Sequence, residues 1–124
     1  MVNNNIAIGC NAAGAFIGTG IIAMGYNAGS AVTTAIDTTI IGTSAGGAIT
    51  TGAENTIIGS GAAAALTGAS NTVIGSGAAV GATTMAASIF IGHNAGGSIT
   101  TGSGNTCVGE GAGSGVVSDD LGVI

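Results

Sequence analysis

The chain contains no Lys, Arg, Pro or Trp, and among its 124 residues only two Phe and one Tyr. Each absence closes a class of function. A nucleic-acid binder displaces phosphate counterions with cations, so a chain with no basic residue and a formal charge of −5 is not expected to bind nucleic acid. An anionic membrane surface is excluded on the same ground. Hydrophobic residues make up 46% of the chain and mean hydropathy is +0.71. Yet Gly or a polar residue interrupts every apolar run well short of the roughly 18 residues a membrane helix needs. The opening MVNNNIAIG has neither a basic region nor a continuous apolar one, so no secretory signal is expected. A single domain over 1–124 is expected, with no room for a separate anchor or catalytic module.

What is abundant is glycine, 26 residues of it, and it is periodic. A Gly preceded by two apolar residues recurs as Gly9, Gly25, Gly42, Gly59, Gly75, Gly92 and Gly109, at intervals of 16, 17, 17, 16, 17 and 17 residues. So short and regular a period identifies a solenoid in which each turn stacks on the next. Cys10 and Cys107 then lie six turns apart, roughly 29 Å at about 4.8 Å per stacked strand. A disulfide needs Cα atoms within about 7 Å, so two free thiols are expected, compatible with synthesis in a reducing cytoplasm.

Aligned on the Gly, the columns have distinct characters. One residue before it stand Ile8, Met24, Ile41, Ile58, Ile74, Ile91 and Val108; two before stand Ala7, Ala23, Ile40, Ile57, Val73, Phe90 and Cys107. Both columns are apolar although strand alternation must point them to opposite faces. Four before stand turn-forming residues, Asn5, Thr38, Asn55, Asn71, Ser88 and Asn105, with Ile21 the exception. Three after the Gly comes an unbroken run of Ala from Ala12 to Ala112, suited to a tight corner. Seven after stand Phe16, Val32, Ile49, Leu66, Ile99 and Val116, marking a second short strand; Ala82 takes that slot in one turn, where Met85 can fill the space. Thr33, Thr50, Thr67, Thr83 and Thr100 follow as an outward ladder.

The fold expected is all-β: a parallel β-solenoid, a narrow β-roll or β-helix, of about seven 16–17-residue turns spanning 3–117. Helix loses because each interior Gly would cost it about 1 kcal/mol. Residues 118–124 leave the repeat as a cap or docking tail. The core is thin, lined by one Ile-like side chain per strand, in the first strand the column next to the Gly, and by Ala at the corners. The column two before it then forms an apolar stripe about 33 Å tall, approaching the few hundred Å² that marks an interface. Ala23, Ile40, Ile57, Val73, Phe90 and Cys107 are therefore the expected oligomer interface, closed as a homotrimer.

The segments NTIIGSGAAAALTG and SIFIGHNAGGSITTG resemble repeats of tail fibres and other surface proteins of tailed bacteriophages. They are also similar to the shorter repeat in the left-handed β-roll head of trimeric autotransporter adhesins. The resemblance covers about Asn3 to Val117 and implies trimers of parallel rolls. The turn here is longer than the adhesin's, and no signal, coiled-coil stalk or membrane anchor is seen, which favours the phage side. No binding-site residue carries over.

Candidate chemistry is sparse. GSGAAA at 59–64 and GSGAAV at 75–80 imitate a dinucleotide-binding loop, but they repeat at the solenoid interval with no βαβ unit around them. His93 shares a variable, solvent-facing column with Cys10, Tyr26, Thr43 and Glu110, and no partner to orient it as a base is evident. Asp37 and Glu54 share a corner position in consecutive turns, but the Gly-rich Asp nonapeptide of calcium rolls is missing. Asp119 and Asp120 read as a solvated pair in the tail. No catalytic, cofactor or metal site is expected.

The function expected is that of a nonenzymatic virion structural protein of a tailed bacteriophage. The preferred role is a trimeric capsid cement or decoration protein, made in the host cytoplasm and carried on the capsid surface. Its partners are itself and the major capsid protein or another virion protein. Cement is preferred because a fibre shaft needs attachment and tip modules for which this chain has no space. The alternatives are a tail-fibre shaft, a trimeric adhesin head and an ice-binding protein using the Thr ladder, which is only one Thr wide and has a structural explanation in bridging successive turns.

Overall fold

Each repeat supplies one three-residue strand ending just before its Gly, and these strands stack in parallel. The computed structural model describes residues 4–14, 16–117 and 122. Within them β1 (Ile6–Ile8), β2 (Ile22–Met24), β3 (Thr39–Ile41), β4 (Thr56–Ile58), β5 (Thr72–Ile74), β6 (Ile89–Ile91) and β7 (Thr106–Val108) form one seven-stranded sheet in chain order. All neighbours are parallel and in register, so Ile40 pairs with Ile57 and Ile57 with Val73. There is no helix among the described residues. The path is a β-solenoid of about six turns.

The register survives the switch between 16- and 17-residue turns because the extra residue is taken up far from the sheet. Where a shorter turn has Thr67 followed by the wall residue Gly68, the longer ones have Thr33–Thr34, Thr50–Thr51, Thr83–Thr84 and Thr100–Thr101. In one of these the N–H groups of Thr33 and Thr34 both donate to the Thr50 carbonyl, at 2.9 and 3.2 Å. A second residue thus shares one acceptor, and the coil closes with no shift in the strands.

The second strand expected seven residues after each Gly does not form. Val32, Ile49, Leu66 and Ile99 are in the core but outside any strand. The turn over 43–48 and the bend at 50–51 leave no extended run long enough for a ladder. Single backbone bonds join successive turns there instead, as from Thr83 N–H to the Thr100 carbonyl at 2.9 Å.

Glycine is required where the sheet meets its first corner. Gly42 has φ +133°, and a Cβ on it would sit 2.5 Å from the carbonyl oxygen of Gly59 in the next turn. Three further left-handed positions per turn are shared between Gly and other residues, represented by Ser44 (φ 55°), Ala63 (φ 49°) and Glu54 (φ 58°). Such non-Gly positions each cost on the order of 1–2 kcal/mol and persist because stacking on both sides fixes them.

The core is a single file of side chains. Ile40, Ile57, Val73 and Phe90 on the sheet wall face Val32, Ile49, Leu66 and Ile99, with the Ala column from Ala28 to Ala95 at the corner, all fully buried. Met85 is also fully buried, supplying volume in the turn that carries Ala82. Gly122, in the tail, keeps the repeat interval. Its N–H donates to Asn105 Oδ1 at 3.1 Å and its carbonyl accepts from Thr106 N–H at 2.7 Å. Through these two bonds Gly122 sits against the last turn. Residues 118–121, with Asp119 and Asp120, lie outside the described residues.

Candidate functional site

The expected interface column points the other way. Ala23, Ile40, Ile57, Val73, Phe90 and Cys107 each have 0% exposure in the single chain, so they have no surface to give to a second one. They are the core, and the column next to the Gly, expected to line it, faces outward. The cause is visible four residues before the Gly. Strand parity places that position on the same side as the residue two before the Gly, and its polar side chains are interior. Asn71 Oδ1 accepts from Ser88 N–H at 3.0 Å, and its Nδ2 donates to Asn55 Oδ1 (3.1 Å), Ala69 O (3.0 Å) and Met85 O (3.0 Å). Asn55 Oδ1 accepts from Asn71 N–H at 3.0 Å, and Ser88 Oγ from Asn105 N–H at 3.1 Å. Thr38, Asn55, Asn71, Ser88 and Asn105 are all buried, and no buried polar side-chain atom among the described residues lacks a partner. The ladder satisfies corner backbone groups from within, which only an inward column can do.

The outward face is therefore built from two other columns: Ile6, Ile22, Thr39, Thr56, Thr72, Ile89 and Thr106, and Ile8, Met24, Ile41, Ile58, Ile74, Ile91 and Val108. The central Ile41, Ile58 and Ile74 are half-buried by their neighbours above and below. Towards the ends exposure rises, to 56% at Ile8 and Val108. Of the large apolar side chains exposed among the described residues, Ile6, Ile8, Met24, Ile89, Ile91 and Val108 share this face; Ile17, Tyr26, Ile36, Val80 and Val117 are scattered over the others. No charged residue stands in either column.

The Thr side of the roll is chemically different. Thr33, Thr67, Thr83 and Thr100 donate their hydroxyls to carbonyls one turn on, at 3.1, 2.9, 2.8 and 3.0 Å. These donors bridge successive turns of the coil, the structural role expected of a Thr ladder.

The described acidic groups and His93 stand in columns other than the two of the apolar face. His93 Nδ1 lies 3.8 Å from Glu110 Oε1 in the next turn of the same column, with 58% and 85% of their side chains exposed. At that distance the two are not hydrogen-bonded, so the carboxylate does not fix the ring as a base. So open a pair contributes little to stability, and it lines no cleft. Glu54, at its corner, accepts from Ser70 Oγ at 3.1 Å, while Asp37 is exposed one turn away. Among the described residues no group of three or more His, Cys, Asp and Glu is close enough to hold a metal. Neither cysteine is in a disulfide; Cys10 is exposed and Cys107 buried. The two GSG segments form corners, Gly61 at φ 65° and Gly77 at φ 66°, with no helix after them to receive a phosphate.

One cavity of about 240 Å³ opens at the first turn, between Ala7, Ala12, Ala13, Phe16 and Ile21, with Asn5 at its edge. It lies where the inner column carries Ala7 and Ala23 in place of the Ile, Val and Phe of later turns, so it is an under-filled part of the core. No family model, curated protein or solved structure matches the chain.

Proposed function

We propose that the chain is a nonenzymatic structural protein of a tailed-bacteriophage virion, a homotrimer of parallel solenoids that decorates and cements the capsid shell. One observation carries the structural reading: the sheet presents an uncharged, largely apolar outer face along its height, and the side chains that build the core point away from it. All-parallel sheets are normally covered on both faces, and this one is covered on one. The likeness of NTIIGSGAAAALTG and SIFIGHNAGGSITTG to phage surface repeats supplies the virion context. Synthesis in the host cytoplasm and assembly onto the shell, with the major capsid protein or another virion protein as partner, follow from that reading. The protein acts by buried area and shape, without a reacting group.

The test is incorporation into particles. Tagged protein should copurify with capsids, cover the shell lattice when labelled, and be present in hundreds of copies per particle, the order set by shell symmetry. A handful of copies confined to the tail makes it a fibre component. Its absence from particles removes the virion role.

A further inference from the structure

We infer that the seam between copies is the outward face of the sheet. The column Ile8, Met24, Ile41, Ile58, Ile74, Ile91 and Val108 of one chain packs on the Ile6-to-Thr106 column of the next, at the same height. This rests on the trimeric reading above and replaces the interface expected from sequence.

Three observations select a second copy as the occupant. The first is charge: every copy is acidic, and the described carboxylates Asp37, Glu54 and Glu110 all stand in other columns. This is a side on which two copies meet without apposing like charges. The second is period. The six strand pairings run without a break or bulge, giving rungs about 4.8 Å apart. A parallel copy has the same rung spacing and stays in step over all seven strands, whereas a surface of another repeat drifts out of step within a few rungs. The third is area. Seven rungs and two columns make a footprint of roughly 300–400 Å², about half of the ~800 Å² per partner of a standard interface. One flat contact is therefore weak. A ring that gives each chain two contacts, one through each column, uses the same footprint on every chain and gains from closure, since no single contact can open alone. No hydroxyl bond is seen for Thr39, Thr56 or Thr72 among the described residues, in contrast to the Thr side, so these are available to bond across the seam.

The experiment compares solution mass, circular dichroism and cross-linking. Wild-type protein is expected near three times the 11.3 kDa chain mass. Ile58→Asp should lower the mass to that of one chain with the wild-type spectrum intact, while Thr51→Asp, exposed on the far side, should leave both unchanged. Independently, Thr56→Cys with Ile58→Cys in a Cys10→Ser background should oxidise to a covalent trimer. The two new thiols share a strand and are too far apart to bond within one chain. If Ile58→Asp fails to fold, the cross-link decides. A trimeric wild type whose mass survives Ile58→Asp and whose cysteines do not cross-link overturns the seam but leaves the trimer standing. A wild-type monomer at all concentrations overturns the trimer itself, and a covalent product that stops at two chains overturns the ring.

Discussion

Ile57 and Ile58 are neighbours of the same residue type in the same three-residue strand, yet one is fully buried and the other forms part of an open face. The same contrast separates Val73 from Ile74 and Phe90 from Ile91. Hydrophobicity does not distinguish the two columns. What distinguishes them is the company each keeps by strand parity. The inner column shares its side with a ladder of Asn, Ser and Thr that ties corner backbone groups together. The outer column shares its side with Thr39, Thr56 and Thr72, for whose hydroxyls no bond is seen among the described residues. Inside a narrow roll, a polar side chain is as diagnostic of the interior as an apolar one, provided it has backbone to bind.

The contrast is sharpest for a buried charge. Ile57→Asp places an unpaired carboxylate in the core and should cost about 5 kcal/mol or more, enough to abolish a cooperative urea transition. Ile58→Asp, one residue on, should cost the fold about 1 kcal/mol or less. Next comes backbone: Gly42→Ala, strained at φ +133° and pressed on Gly59, should lose about 3–4 kcal/mol by urea denaturation. Gly47→Ala, where a Cβ makes only ordinary contacts at 3.6 Å, should be close to neutral. Asn71→Ala tests the inner polar ladder. It leaves the Ser88 N–H and the Met85 carbonyl without this partner and should cost about 2–3 kcal/mol. Thr83→Val removes one exposed bond to the Thr100 carbonyl and should cost about 0.5–1 kcal/mol, the smallest effect. If Asn71→Ala proves as mild as Thr83→Val, the ladder is not what sets the inside of the roll.

The period, the parallel stacking and the all-β character were legible because Gly42 and its counterparts recur at fixed spacing and each precedes a corner that only Gly fits. The direction of the strand was not legible from its apolar pair, since both members are apolar in every turn and both are branched in Ile40–Ile41, Ile57–Ile58 and Val73–Ile74. The signal lay two residues earlier, in Asn55 and Asn71. Read as turn formers, they say nothing about inside and outside; read as ladder rungs that need backbone to bind, they point the strand. The second strand at Val32, Ile49 and Leu66 was read correctly as core and wrongly as sheet, because burial at one position does not make an extended run. That His93 and Glu110 share a column in consecutive turns was legible, whereas their 3.8 Å separation follows only from the side-chain positions.

The two native cysteines offer the most direct test of which way the strands face, since Cys10 is exposed and Cys107 belongs to the inner column. In the Ile58→Asp variant, where no seam can shield either thiol, a small thiol reagent should label one cysteine per chain at once. The second should react only when denaturant opens the coil. Labelling of Cys107 as fast as Cys10 in that folded variant would show the inner column facing outward and would contradict the account.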